Sequence, residues 1–213
     1  ENTELDLATR CTPLESSSEI YRNIQDHFLA SWNAKRWSAC SEEVPAPSIS
    51  AIYEVENEAH LSAYEAKQLE LTPEAAKLED GAKPGNEKRC FFGARKICAF
   101  DGQLCSYDAC TVCRIVRQGH FGTCGGGGAT GSMSFSRWAH TAKGRGLAPG
   151  QQPPPADFKD FVSAKAGNAV FVADVLVGNA DHSRVIDSST GSDEILVFHV
   201  AQATPRALII FGD

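Results

Sequence analysis

The chain reads as an α+β domain, and three observations say so. Apolar residues alternate at the period of strands over residues 49–55, and short strand-forming runs recur at 169–177 and 194–213. Between and before them, two longer segments carry apolar residues at helical spacing. Eighteen glycines and ten prolines then imply long loops instead of a helical bundle.

Composition sets the outer bounds. With 213 residues and 42% hydrophobic content, the chain is long enough for one sizeable core or one domain with an appendage. No run of eighteen apolar residues occurs, so no membrane-spanning helix is expected. A net charge of −7 argues against a general electrostatic grip on nucleic acid. The chain starts at Glu1 without a methionine and carries eight cysteines, which leans toward secretion. An intracellular location is the alternative, and no N-x-[ST] sequon is present.

Residues 1–48 read as an N-terminal helical extension. A helix is expected over 18–37, with Ser16, Ser17 and Ser18 offering an N-cap and Glu19 in the first turn. Ile20, Ile24, Phe28 and Trp32 fall on one face, a packing stripe. The V-P-A-P-S run at 44–48 closes this unit.

Residues 49–213 form the main domain. A strand over 49–55 leads into a helix over 57–71, with Leu61, Tyr64 and Leu69 on its buried side. A polar loop at 79–88 precedes a short strand at 90–94. Residues 169–177, A-V-F-V-A-D-V-L-V, read as a buried strand before Gly178 and Asn179. The last twenty residues open on Glu194 and continue through Ile195, Val197, Val200 and the apolar run 208–211. A carboxylate at the mouth of a buried strand is costly unless solvated or paired, which marks Glu194 as a candidate functional group.

A second constellation is C-x6-C-x4-C-x2-C, formed by Cys98, Cys105, Cys110 and Cys113. The last two stand at the start of a helix continuing as R-I-V-R-Q. Such a knuckle can set four thiolates around a tetrahedral zinc. Two disulfides within the four, with Cys11, Cys40, Cys90 and Cys124 making two more, fit the even count as well. The tetraglycine 125–128 lacks the G-K-[ST] ending of a phosphate-binding loop and reads as a loop. Q-Q-P-P-P at 151–155 is a turn or linker, and the six histidines show no metal spacing.

Taken together, these segments resemble the poly(ADP-ribose) polymerase-like ADP-ribosyltransferase family. The likeness spans residues 49–213. It rests on the opening strand, the L-x-x-Y-E helix, the strand ending in G-N, and the glutamate before I-L-V-F with its A-Q tail. The sequence F-G-A-R-K-I-C followed by L-C-S-Y-D-A-C-T-V-C-R-I is similar to an insertion of fungal members. The resemblance implies a fold of two packed antiparallel sheets with NAD bound in the cleft between them.

That family uses a histidine in an H-G-[ST] turn, a tyrosine in G-I-Y and a glutamate. Here Phe92, Gly93 and Ala94 stand at the first motif, and Met133 at the tyrosine. Thr141, in H-T-A-K, stands at the serine that contacts the nicotinamide amide, and Glu194 at the glutamate. Phe92 and Met133 can pack against a ring but cannot replace the lost ribose hydrogen bonds. Gly93 leaves room for close backbone approach. The resemblance therefore implies a divergent mono-ADP-ribosyltransferase or NAD glycohydrolase acting on an unidentified protein or nucleic-acid acceptor, or on water. The alternative is a non-catalytic binding module on the same fold, or a secreted defence or effector protein.

Overall fold

A computed structural model describes residues 9–32, 45–75, 83–107, 109–122, 132–139, 141–142, 168–179, 181–186 and 194–212. Its elements run β1 (Thr9–Pro13), α1 (Glu19–Ser31), β2 (Ile49–Asn57), α2 (Glu58–Ala75), β3 (Glu87–Gly93), α3 (Thr111–Gln118), β4 (Met133–Ser136), β5 (Ala169–Leu176), β6 (Ser183–Ile186), β7 (Glu194–Val197) and β8 (Ala203–Phe211). The α+β class is as the sequence predicts.

The strands form one antiparallel sheet of eight, in the order β1-β2-β8-β5-β3-β4-β7-β6. In place of the expected two packed sheets, the described strands belong to a single sheet. A near-division survives inside it. β3 meets β5 over seven residue pairs, from Glu87 with Leu176 to Gly93 with Val170, but meets β4 only through Phe91 with Ser136. One pair keeps the ladder continuous while leaving β4, β7 and β6 as a loosely joined wing.

The sheet buries both faces, which explains why β5 reads as a continuous apolar run with every residue buried. One face packs under α3, with Cys90, Phe135, Phe171, Ile195, Val197 and Leu208 in its core. The other packs under α1, with Phe28, Trp32, Phe91, Val172, Ile209 and Phe211. Successive strand residues alternate between these layers.

α1 starts where Ser18 Oγ accepts the Tyr21 N–H at 3.1 Å, as the serine run suggested. It is shorter than the expected 18–37. Trp32 leaves helical dihedrals (φ −81°, ψ 68°) and packs its ring against Phe28 and Phe211, and 33–44 lie outside the described residues. Phe28 and Trp32 are buried as expected, whereas Ile20 stays 52% exposed.

The 1–48 region also contributes a strand. β1 pairs with β2 from Thr9 opposite Asn57 to Pro13 opposite Tyr53. On α2, Tyr64 and Leu71 are buried and Leu61 is partly buried, all against Leu176 or its neighbours. Leu69 is not buried; it is 75% exposed. Five residues past Tyr64 is a rotation of roughly 140° at 3.6 residues per turn, so Leu71, not Leu69, shares the Tyr64 face.

Val200 falls in a 3-10 turn, Val200–Gln202, that separates β7 from β8. Gln202 stabilises it: its Oε1 accepts the His199 N–H at 3.0 Å, while its Nε2 donates to the carbonyls of Leu176 and His182. Buried to 2% exposure, Gln202 thereby ties β5, the loop before β6 and β8 together.

Candidate functional site

The three motif-bearing strands, far apart in sequence, are neighbours in space. β3 carries Phe92 and Gly93, β4 carries Met133, and β7 opens on Glu194, in the order β3-β4-β7. Side-chain direction then divides the predicted residues. In the β4–β7 ladder Met133 pairs with Val197, Phe135 with Ile195, and Ser136 with Glu194. Met133, Phe135, Ile195 and Val197 enter the α3-side core, and Phe92 packs against it. Glu194, Ser134 and Ser136 therefore point to the α1 side.

The expected grouping of Phe92, Met133 and Glu194 around one ligand is thus not what the described residues form. Phe92 lies among Phe121 and Phe135, with ring centroids 4.9 and 5.5 Å away, and Met133 is 2% exposed. Glu194 instead accepts a hydrogen bond from Ser134 Oγ at 2.5 Å. The residue one position past Met133 is the polar neighbour of the carboxylate. Alternation in M-S-F-S carried this signal, because two large apolar residues flank Ser134 at strand period.

Other polar groups gather on that α1 side. Phe91 is opposite Ser136, and the His27 ring stacks on Phe91 at 4.9 Å and 16°. His27 Nε2 is buried without a hydrogen-bond partner among the described residues. Burial holds the His27 pKa below its ordinary value, with the Arg89 charge adding to the effect. Thr141 lies in a helical turn closed by the Ala142 N–H on the Trp138 carbonyl at 3.1 Å. Ala139 and Ala142 of that turn pack with Phe28 and Phe91, and Thr141 Oγ1 is buried with no partner among the described residues. Gly93 faces the same side as Phe91, paired with Val170, while Ala94 is fully buried and donates to the Ala169 carbonyl. His27 had no sequence signal, since it stands one residue before a core phenylalanine on an ordinary packing helix.

A cavity of about 600 Å3 opens elsewhere on the same face, between α1 and strands β2, β8 and β5. Asp174, 5% exposed, holds both Arg89 (Nε–Oδ1 3.0 Å) and Arg206 (Nε–Oδ2 2.8 Å) on its wall. Glu54, Glu56 and Glu58 offset the remaining positive charge, and no residue of β4 or β7 lines it.

The four predicted cysteines do converge. Their sulfurs lie within 4.8 Å of one another, with Cys98 Sγ 3.5 Å from Cys113 Sγ and 3.7 Å from Cys110 Sγ. Cys110 is the N-cap of α3 and Cys113 sits in its first turn. Cys110 is held well below the thiol range by hydrogen bonds from Cys113 and Cys98, while the bond to Cys110 pushes Cys98 up to about 12. The same bonds push Cys113 up, so of the two thiols at the start of α3 it is Cys110, at the N-cap where the backbone dipole favours negative charge, that is the more acidic. All four are free thiols, as are Cys11 and Cys90, both pushed up to about 12 by burial. Cys40, Cys124, the tetraglycine 125–128 and residues 151–155 lie outside the described residues. Among the described residues no helix is long and apolar enough to cross a membrane.

No protein-family model matches this chain, and no curated protein matches it.

Proposed function

We propose that the chain is a divergent ADP-ribosyltransferase-fold protein that cleaves the nicotinamide–ribose bond of NAD and passes ADP-ribose to a protein, a nucleic acid or water. The observation supporting this reading is the β3-β4-β7 neighbourhood, which gathers three motifs separated by about a hundred residues and aims Glu194 and Ser134 to one face.

The chemistry asks little beyond a positioned carboxylate. The C–N bond breaks with its electron pair leaving on nicotinamide, and positive charge develops on the ribose. A carboxylate beside the ribose 2′-hydroxyl stabilises that charge more in the transition state than in the ground state. An acceptor hydroxyl or water then attacks the ribose carbon and loses its proton. Glu194 is partly exposed at the start of β7, so it can meet a ligand while Ser134 helps to position its carboxylate. Thr141 Oγ1 and His27 Nε2 are further polar atoms on this side, both buried.

A second reading is favoured by one observation: Phe92 and Met133 are committed to the α3-side core and give NAD no hydrogen bond. The protein is then a binding module with the fold but little turnover. Incubating the full chain with NAD separates the two. Nicotinamide release supports the enzyme, and mass analysis of candidate acceptors tells transfer from hydrolysis. Absence of release at any NAD concentration removes the enzymatic reading.

A further inference from the structure

The connection 94–110 is longer than an ordinary one, and its described residues carry no helix or strand beyond a single bridge at Cys98. Yet they are fixed. Ile97, Cys98, Phe100 and Cys110 are buried in the α3-side core, with Cys105, Tyr107 and Ala109 packed against it. The segment's two ends and its middle are brought to one point by the four thiols, and apolar burial alone does not require four sulfurs to meet.

We propose that Cys98, Cys105, Cys110 and Cys113 bind one zinc ion as a closed tetrathiolate, and that this ion fixes segment 94–110 to α3. Tetrahedral zinc with Zn–S bonds of about 2.3 Å has sulfurs roughly 3.8 Å apart. The observed 3.5 and 3.7 Å separations, and the 4.8 Å limit over the set, need only small adjustment to reach it. A disulfide would need two of these sulfurs to close to about 2.05 Å. All-sulfur donors select zinc over magnesium or calcium, which take oxygen ligands. Four protein ligands leave no open position, so the ion is structural and not a site for substrate.

The surroundings suit a doubly negative zinc tetrathiolate. The Cys105 N–H donates to Cys113 Sγ at 3.4 Å. Lys96 Nζ donates to the Cys98 carbonyl at 3.2 Å, and the Arg117 guanidinium donates to the Cys105 carbonyl. Two cations thus stand on the backbone of two ligands, and the α3 N-terminus faces the other two. Each thiol gives its proton to solvent as its Zn–S bond forms. The ion's influence extends to the sheet edge, because the Arg117 carbonyl accepts from Thr9 Oγ1 of β1 at 3.4 Å.

The test uses the full chain, purified without a metal-affinity column. Elemental analysis should find one zinc per chain, and denatured, non-reduced protein treated with a chelator should release it and expose all four thiols. Replacing the metal with cobalt(II) should give the intense visible bands of a tetrahedral site and a sulfur-to-metal charge-transfer band. Cys113→Ser should abolish stoichiometric zinc, while Cys90→Ala, outside the cluster, should retain it. If Cys113→Ser fails to fold, the cobalt spectrum of the wild-type chain still decides. Zinc-free folded protein with the four cysteines in disulfides would overturn the proposal. So would stoichiometric iron, or a cobalt spectrum lacking sulfur charge transfer.

Discussion

Phe121 offers the most direct probe of what joins the two parts of the sheet. It is fully buried and contacts rings on three strands: Phe92 of β3, Phe135 of β4 and Phe171 of β5, at 4.9, 5.0 and 5.8 Å. The contacts with Phe135 and Phe171 are edge-on, at 87° and 90°, the favoured arrangement for aromatic quadrupoles. Since the backbone ladder joins β3 to β4 at one pair only, this aromatic cluster supplies what the ladder lacks. Phe121→Ala should therefore cost about 3–5 kcal/mol, from lost transfer energy and the cavity left in a layer held on several sides. Against a typical total of about 5–15 kcal/mol, that is a large fraction of the stability. Urea unfolding followed by far-UV circular dichroism reads it as a lower midpoint with an unchanged slope. Leu69→Ala is the control, since Leu69 is 75% exposed and should shift stability by no more than about 0.5 kcal/mol. Equal shifts for the two variants would refute the claim that Phe121 is the keystone of this layer.

Three further outcomes follow. Ser134→Ala should lower nicotinamide release about tenfold or more without changing the thermal midpoint by more than a few degrees, because it removes one charge-assisted hydrogen bond that positions the Glu194 carboxylate; unchanged kinetics would detach Ser134 from the site. Gly119→Ala should destabilise by about 1–2 kcal/mol from the left-handed backbone alone (φ 69°), and by more because a Cβ would collide with the Asn57 side chain that also holds Thr9; a neutral effect in urea unfolding would contradict this. His60 is buried, donates Nε2–H to the Ala203 carbonyl at 2.9 Å, and has its pKa lowered by burial, with that hydrogen bond opposing. The unfolded chain then binds the extra proton first, so this stability is present above about pH 6.5 and is lost as pH falls through the lowered folded value. Urea midpoints should drop between pH 7 and pH 5, less steeply in His60→Gln; identical slopes would remove His60 from the acid response.

The sequence made local structure legible wherever one residue's neighbours decide it. Alternation marks β2, a continuous apolar run marks β5, and the serines mark the α1 cap. The cysteine cluster was read from spacing, because x4 and x2 gaps at a helix start bring sulfurs together almost irrespective of the rest. β1 and β6 went unseen. T-R-C-T-P and S-R-V-I are short, weakly patterned edge strands whose pairing depends on distant partners. The number of sheets was likewise not local: it turns on one ladder pair, Phe91 with Ser136. Which side chains share a face with Glu194 turns on a single register step. Side chains on a strand reverse face at each residue, so Met133 turns into the α3-side core while Ser134, one position on, neighbours the Glu194 carboxylate.

The decisive comparison is nicotinamide release from NAD by the wild-type chain and by Glu194→Gln. If Glu194 stabilises the developing ribose cation, the wild type releases nicotinamide measurably and the variant at least about a hundredfold more slowly, the size expected on losing one transition-state stabiliser, with unfolding unchanged. Equal rates in the two proteins, or no release by the wild type, would contradict it.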